Sequence, residues 1–298
     1  INKKKGVLKM DDEFVALRSA YYVGNYNGVN KEAKNLSGLS KKKGSIRDSY
    51  LCRSLIATKK YKQVKKICGD KVLPCLLAVK QLSIYEQSTS VQERELVMET
   101  IEGYLDEDTV RDDDVFCIIA SQIYIDEGKY KEALKLVVND GNNLEKLLLQ
   151  IQIYLKIYRP DLALKSLKKM EEIEDDDTLT LLGRIWICMF VGGTVKTNEG
   201  IERIEDLIST NNDTIVLINM LITANMHLKK YNDAWKLCKK ARDIARNDDL
   251  DIPSSTLINS IICLKNLNKA PELLTKLYAE LKKSSPDHEF IQKTDEME

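Results

Sequence analysis

The chain has 298 residues, 43% of them hydrophobic and 31% charged, with 46 basic side chains balanced by 46 acidic ones. Balanced charge removes the electrostatic case for nucleic acid as the main partner, and no apolar run approaches the ~20 residues that span a bilayer. Only five prolines and no Gly/Ser/Pro linker favour one elongated helical array over separate domains built on large single cores.

In chain order, the residues read as helical hairpins. Asp11 to Asn35 opens with FVALRSAYY, turns at Gly24-Asn25-Tyr26 and returns through Val29 and Ala33. The unit from Ile46 to Cys68 turns at Lys60-Tyr61, and Lys41 to Gly44 before it reads as an interhelix loop. Val72 to Tyr104 holds a weaker pair joined at Ser88 to Ser90, with helical periodicity but no residue to wedge between the helices. Asp112 to Asp114 then cap the central unit, whose Ser121 to Val137, SQIYIDEGKYKEALKLV, assigns a role to nearly every residue. Gly128 ends the first helix there, Tyr130 wedges, and Ala133 lets the backbones approach. Leu144 to Met170 turns at Pro160, a residue suited to a first helical turn. Asp175 to Thr178 cap LTLLGRIWICMF, which stops at Gly192-Gly193, and Glu199 to Ile208 returns. Units at Thr214 to Ala245, with Tyr231 and Ala234, and at Thr256 to Leu281, broken at Asn268 to Pro271, complete the array.

The turn positions 26, 61, 130, 160, 231 and 270 are separated by 35, 69, 30, 71 and 39 residues, and each large gap holds one degenerate unit. The period is close to the ~34 residues of a tetratricopeptide repeat. The expected fold class is all-α, a tetratricopeptide-like α-α solenoid forming a curved superhelical array of about eight hairpins. It is expected as a single domain over 1–298, with 1–10 a flexible segment and 284–298 a polar tail. The chain opens INKKKGVLKM, too polar for a signal peptide and without an initiator Met, as expected of a fragment or processed chain.

Candidate chemistry is sparse. The two histidines, His227 and His288, lack sequence partners for a triad or a metal and read as structural or exposed. No GxxxxGK[ST] or GxGxxG occurs, and Gly192-Gly193 follows a helix rather than a strand. The cysteines at 52, 68, 75, 117, 188, 238 and 263 include no CxxC and read as reduced, core-packing thiols of a cytosolic protein. The acidic runs 112–114 and 175–177 lack the spacing of a calcium loop and read as caps. Lysines over 59–71 and near Lys282 read as a solvated face. No catalytic residue, metal or cofactor is expected.

The face turned inward by each first helix is more informative. Aligning units by their turns places Arg18, Arg53, Gln122, Gln152, Arg184 and Thr223 in one polar row. Tyr21, Ile56, Ile125, Leu155, Ile187 and Met226 form an apolar row three residues on, and Ile118, Leu148 and Asn219 lie one turn before the polar row. An apolar row beside a polar one is expected of an inner wall that a substantial partner covers. The other reading is that tight curvature packs these residues against neighbouring helices.

AYYVGNYNGVNKEA, RDSYLCRSLIATKKYKQV, PDLALKSLKKMEEIEDDDTLTLLGRIWICMFVGG and HEFIQKTDE, in that order, resemble the epsilon subunit of coatomer. The third segment is the most specific, joining LALK.LK.M, the acidic cap, TLT.L, the Trp and the double Gly. The resemblance runs from about Asp11 to the end and departs over Val72 to Tyr104 and at Gly200, where the family has Ala. It implies a non-catalytic scaffold subunit of the COPI coat, cytoplasmic and peripheral on Golgi membranes through that coat. Such a subunit embraces the C-terminal domain of alpha-COP within hetero-oligomeric coatomer, in retrograde Golgi-to-ER and intra-Golgi transport, with no small-molecule substrate and no nucleic acid. The family supplies no short binding motif, so the inner-face residues rest on repeat alignment alone.

Two alternatives stand beside this. A tetratricopeptide co-chaperone would need a Lys and an Asn four apart on a first helix, and both KxxxN matches, Lys31 to Asn35 and Lys135 to Asn139, fall on returning helices. An enzyme on an α-solenoid body would need a constellation that the sequence does not supply.

Overall fold

In the computed structural model, which describes residues 12–69, 73–138, 142–286 and 288–295, all regular structure is helical. A 3-10 turn (Asp12–Phe14) leads into α1 (Val15–Tyr22) and α2 (Tyr26–Asn35), then α3 (Lys41–Ala57) with α4 (Tyr61–Cys68) and α5 (Pro74–Tyr85) with α6 (Val91–Leu105). The single turn α7 (Asp108–Arg111) precedes α8 (Asp114–Asp126) with α9 (Tyr130–Val137), α10 (Leu144–Lys156) with α11 (Pro160–Ile173), and α12 (Thr178–Val191). Next come α13 (Gly193–Asn211), α14 (Ile215–His227) with α15 (Tyr231–Asn247), α16 (Ser254–Leu267) with α17 (Pro271–Ser284), and α18 (Glu289–Asp295). The chain divides into two compact units, Ile1–Phe190 and Val191–Glu298.

One turn is built five times from different residues. In each case a three-residue link carries a left-handed residue two positions before the next helix: Gly24, Lys59, Gly128, Tyr158 and Lys229, with φ of 80°, 57°, 71°, 58° and 59°. The left-handed residue and its successor return N–H bonds to the ending helix, as in Gly128 N to Ile125 O (3.0 Å) and Lys129 N to Tyr124 O (2.8 Å). These bonds satisfy carbonyls that the helix end leaves free. Tyr26, Tyr61, Tyr130, Pro160 and Tyr231 are the first residues of the returning helices, where the periodicity puts them. The last turn has one residue more between its left-handed Asn268 and the next helix, so that helix starts at Pro271 and not at 270.

Other expectations shift for local reasons. Lys41 to Gly44 is the first turn of α3 and not a loop, because the Ser40 side chain accepts from Lys43 N at 3.3 Å and caps it. Only Asp113 of the 112–114 run caps α8, accepting from Phe116 N at 2.9 Å, while Asp112 ends α7. The weak pair after Val72 is α5 and α6, joined through a Ser90/Glu93 capping box; Val72 itself lies outside the described residues. The double Gly both ends α12 and starts α13, which therefore begins at Gly193 rather than near Glu199. The polar tail contains α18, whose Ile291 is buried with Leu277 and Leu281 and whose Phe290 stacks on Tyr278 at 6.2 Å. The expected flexible segment 1–10 lies outside the described residues.

In the first unit α8 packs against α5, α9 and α10, so its apolar residues are covered on several sides. Phe116, Ile119 and Ile123 are among the fully buried side chains, each worth ~1.5–3 kcal/mol on burial. All seven cysteines are free and buried. Gln150 is a polar staple: its amide donates to Val137 O (2.7 Å) and accepts from Ser166 Oγ (3.0 Å), tying α10 to α9 and α11. Gly183 lets α12 approach α10, since a Cβ there would stand 2.9 Å from Ile151 Cδ1.

A buried polar clasp joins the start of this unit to its end. Arg18 on α1 meets Asp177, before α12, at 2.5 Å, both side chains under 5% exposed. Asp177 also accepts from Leu179 N at 2.8 Å. Glu145 at the start of α10 accepts from Tyr22 Oη (2.6 Å), Tyr50 Oη and Arg53 Nη1 (3.3 Å). The Arg53 guanidinium lies 4.3 Å from the Tyr21 ring centroid. Burial, then the Glu145 charge, pushes both tyrosine hydroxyls well above their ordinary pKa, which keeps them donors.

Two predictions follow the geometry. Gly128→Ala, at φ +71°, is expected to cost about 1–2 kcal/mol in urea unfolding, whereas Gly103→Ala, in open space on α6, is expected to gain about 0.5–1 kcal/mol. Arg18→Leu strands the Asp177 carboxylate and is expected to cost about 3–5 kcal/mol; adding Asp177→Asn, which keeps the cap while removing the charge, should recover more than half of that loss.

Candidate partner-binding surface

The inner-face residues have different surroundings along the chain. Arg18, Arg53 and Tyr21 are engaged in the clasp. Ile56, Ile118 and Ile125, at 6%, 2% and 4% exposure, belong to the core shared by α3, α5, α8 and α10. Leu148 is 1% exposed and packs where Gly183 approaches, and Ile187 is also buried. The apolar row is therefore covered mainly by the chain's own helices, because a helix with three neighbours hides more than one stripe. Gln122 is half-buried and donates to Asp126 Oδ1 at 3.0 Å on its own helix. Arg184 forks onto Glu171 (2.7 Å) and Asp175 (2.5 Å).

In the second unit, Asn219 donates to Thr256 Oγ1 (2.8 Å) and accepts from Asn259 Nδ2 (3.1 Å), joining α14 to α16. Thr223 donates to Asn219 O at 3.0 Å, and Met226 is half-buried.

What stays open lies at the C-terminal ends of α10 and α12. On α10, Leu147, Leu148 and Ile151 fill the buried stripe, which leaves Gln152, Leu155 and Lys156 on another face at spacings of three and four. On α12, Leu182 and Ile185 are buried, while Trp186 is half-buried and Phe190 is exposed one turn later. With Tyr158 these residues line a cleft of about 360 Å³ whose polar groups are those of Gln152 and Lys156, the Tyr158 hydroxyl and the Trp186 indole N–H.

Tyr158 is the turn residue at φ +58°, 81% exposed, with its ring 6.0 Å from that of Phe190. A side chain there costs roughly 1–2 kcal/mol that glycine avoids, and what it supplies is an aromatic wall. Ile157, at 39% exposure, extends the apolar rim. Aromatic anchors around a concave apolar floor suit protein recognition.

Of the expected residues, only Gln152 and Leu155 line this cleft. Trp186, Phe190 and Tyr158 lie outside the aligned rows: Trp186 stands one position out of register with the apolar row, and Tyr158 sits in the turn, which aligning the first helices does not reach. Among the described residues no three His, Cys, Asp or Glu side chains converge to hold a metal, and no helix is long and apolar enough to cross a membrane.

Solved structures share the fold. A tetratricopeptide repeat protein from Parabacteroides merdae superposes with a TM-score of 0.59 at 12% identity, over 90% of this chain and 96% of that one. A chain of the APC/C hetero-tetramer Cut9-Hcn1 gives 0.62 at 12% identity, over 97% of this chain and 56% of that one. In sequence, the chain is 30% identical to coatomer subunit epsilon-1 of Oryza sativa subsp. japonica, covering 93% of this chain and 91% of that protein. It is 29% identical to coatomer subunit epsilon of Dictyostelium discoideum, over 97% and 96%. The coatomer epsilon subunit family model matches residues 10–298, and the chain belongs to that family.

Proposed function

We propose that this chain is a non-catalytic scaffold subunit of the COPI coat that binds the C-terminal domain of alpha-COP through the cleft between α10 and α12. Family membership over residues 10–298 supports the coat role, and the cleft is the observation that carries the site. Leu155, Trp186, Phe190 and Tyr158 offer apolar and aromatic surface at one place in the first unit, where the rest of the expected wall is filled from within. Such a surface is expected to receive an apolar side chain of the partner, with the Gln152 amide and the Lys156 ammonium fixing polar atoms at the rim. The reading places the protein in the cytoplasm, peripheral on Golgi membranes through the coat, in Golgi-to-ER and intra-Golgi transport.

The burial pattern changes which substitutions test it. Leu155→Asp with Trp186→Ala is expected to weaken binding to the recombinant alpha-COP C-terminal domain by at least about 100-fold, the loss of two anchors, with helicity by circular dichroism unchanged. Unchanged affinity in calorimetry would sink the assignment. Ile125→Asp, by contrast, buries a carboxylate in the core and is expected to lower the melting temperature before it says anything about binding.

A further inference from the structure

Charge is balanced over the chain but not along it. α4 carries Lys62, Lys65 and Lys66, with Lys60 at its N-cap, and no acidic residue. Spacings of three and four put 62, 65 and 66 on one face, opposite the buried Val64 and Cys68. All four lysines are exposed, and none forms an ion pair among the described residues. On α6, Glu95, Glu99 and Glu102 form an exposed stripe continued by Asp106 at the C-cap, opposite the buried Val97, Met98 and Ile101. Glu95, Glu99 and Asp106 likewise have no cation within the described residues, and Leu96 stands among them at 62% exposure. Both helices pack on α5, so the two faces flank one helix of one unit.

We propose that these faces form a contact between copies of this chain, the lysine face of α4 in one copy lying on the acidic face of α6 in the other. Complementarity of sign carries the assignment. An anionic bilayer or polyanion would attract the lysines but repel the carboxylates of α6, whereas a second copy offers both signs and pairs each face with its opposite across a two-fold axis. The 46 to 46 charge balance leaves no net repulsion between copies to overcome. Leu96 gives lysine stems an apolar surface to lie on. Exposed charges make such a contact weak and sensitive to salt. The surface is separate from the α10/α12 cleft, so the two assignments stand or fall independently.

Sedimentation velocity of the full chain tests this. Self-association is expected at low salt and should weaken at least about tenfold between 0.1 M and 1 M salt, where the Debye length falls from about 10 to about 3 Å. Lys62→Glu/Lys65→Glu/Lys66→Glu and Glu95→Lys/Glu99→Lys/Glu102→Lys should each be monomeric alone, and their equimolar mixture should associate again. Should a reversal lower the melting temperature, Lys62→Gln/Lys65→Gln/Lys66→Gln carries the same expectation of a monomer. The proposal is overturned by a wild-type chain that stays monomeric at about 100 μM, a concentration that populates even weak contacts. Reversed variants that associate like wild type, or a mixture that stays monomeric, also overturn it. So does wild-type binding to phosphatidylserine-containing vesicles without self-association.

Discussion

A pair of short helices cannot hide its apolar faces alone, and everything in this chain depends on how that constraint is met at the turn. The left-handed residue followed by a Tyr or Pro sets the return of the second helix within three residues. Each hairpin then presents a repeatable face to the next. Stacking, rather than a single central core, supplies the burial. Because the geometry of the turn is held by two backbone hydrogen bonds, the identity of the left-handed residue is free to vary from Gly to Lys to Tyr. At Tyr158 that freedom becomes surface chemistry.

The repeat was legible for this reason. Turn position, wedge and small packing residue are local features, and the structure has Tyr26, Tyr61, Tyr130, Pro160 and Tyr231 at the starts of returning helices as the period requires. Features that depend on partners distant in sequence were not legible. Arg18 and Arg53 looked like an inner wall waiting for a ligand, yet their partners Asp177 and Glu145 sit 159 and 92 positions away. Asp177 reads as part of a helix cap, and Glu145 carries no feature that singles it out in the sequence. Ile118 and Ile125 kept a helical apolar spacing that is the same whether a partner or a neighbouring helix covers it; burial by α5, α9 and α10 decided the matter.

The candidate site shows the same division at smaller scale. Gln152 and Leu155 were reached through repeat alignment, which works along one helix. The aromatic half of the cleft comes from a turn and from the following first helix. Only the distance between rings, 6.0 Å for Tyr158 and Phe190, brings them into one surface. The scaffold and its recognition surface are thus specified by different parts of the repeat: the turn and small residues stack it, and side chains just off the stacking register face outward.

The Arg18 to Asp177 pair also bears on how the chain folds. Repeat arrays gain their contacts from neighbours, which keeps sequence separation low and folding local. A buried ion pair spanning 159 positions makes the first unit depart from that habit. During synthesis the first two hairpins emerge carrying Arg18 and Arg53 with no acidic counterpart, and their native burial waits until α10 and the start of α12 have left the ribosome. The clasp therefore ties the native packing of the unit's first hairpins to the completion of its last.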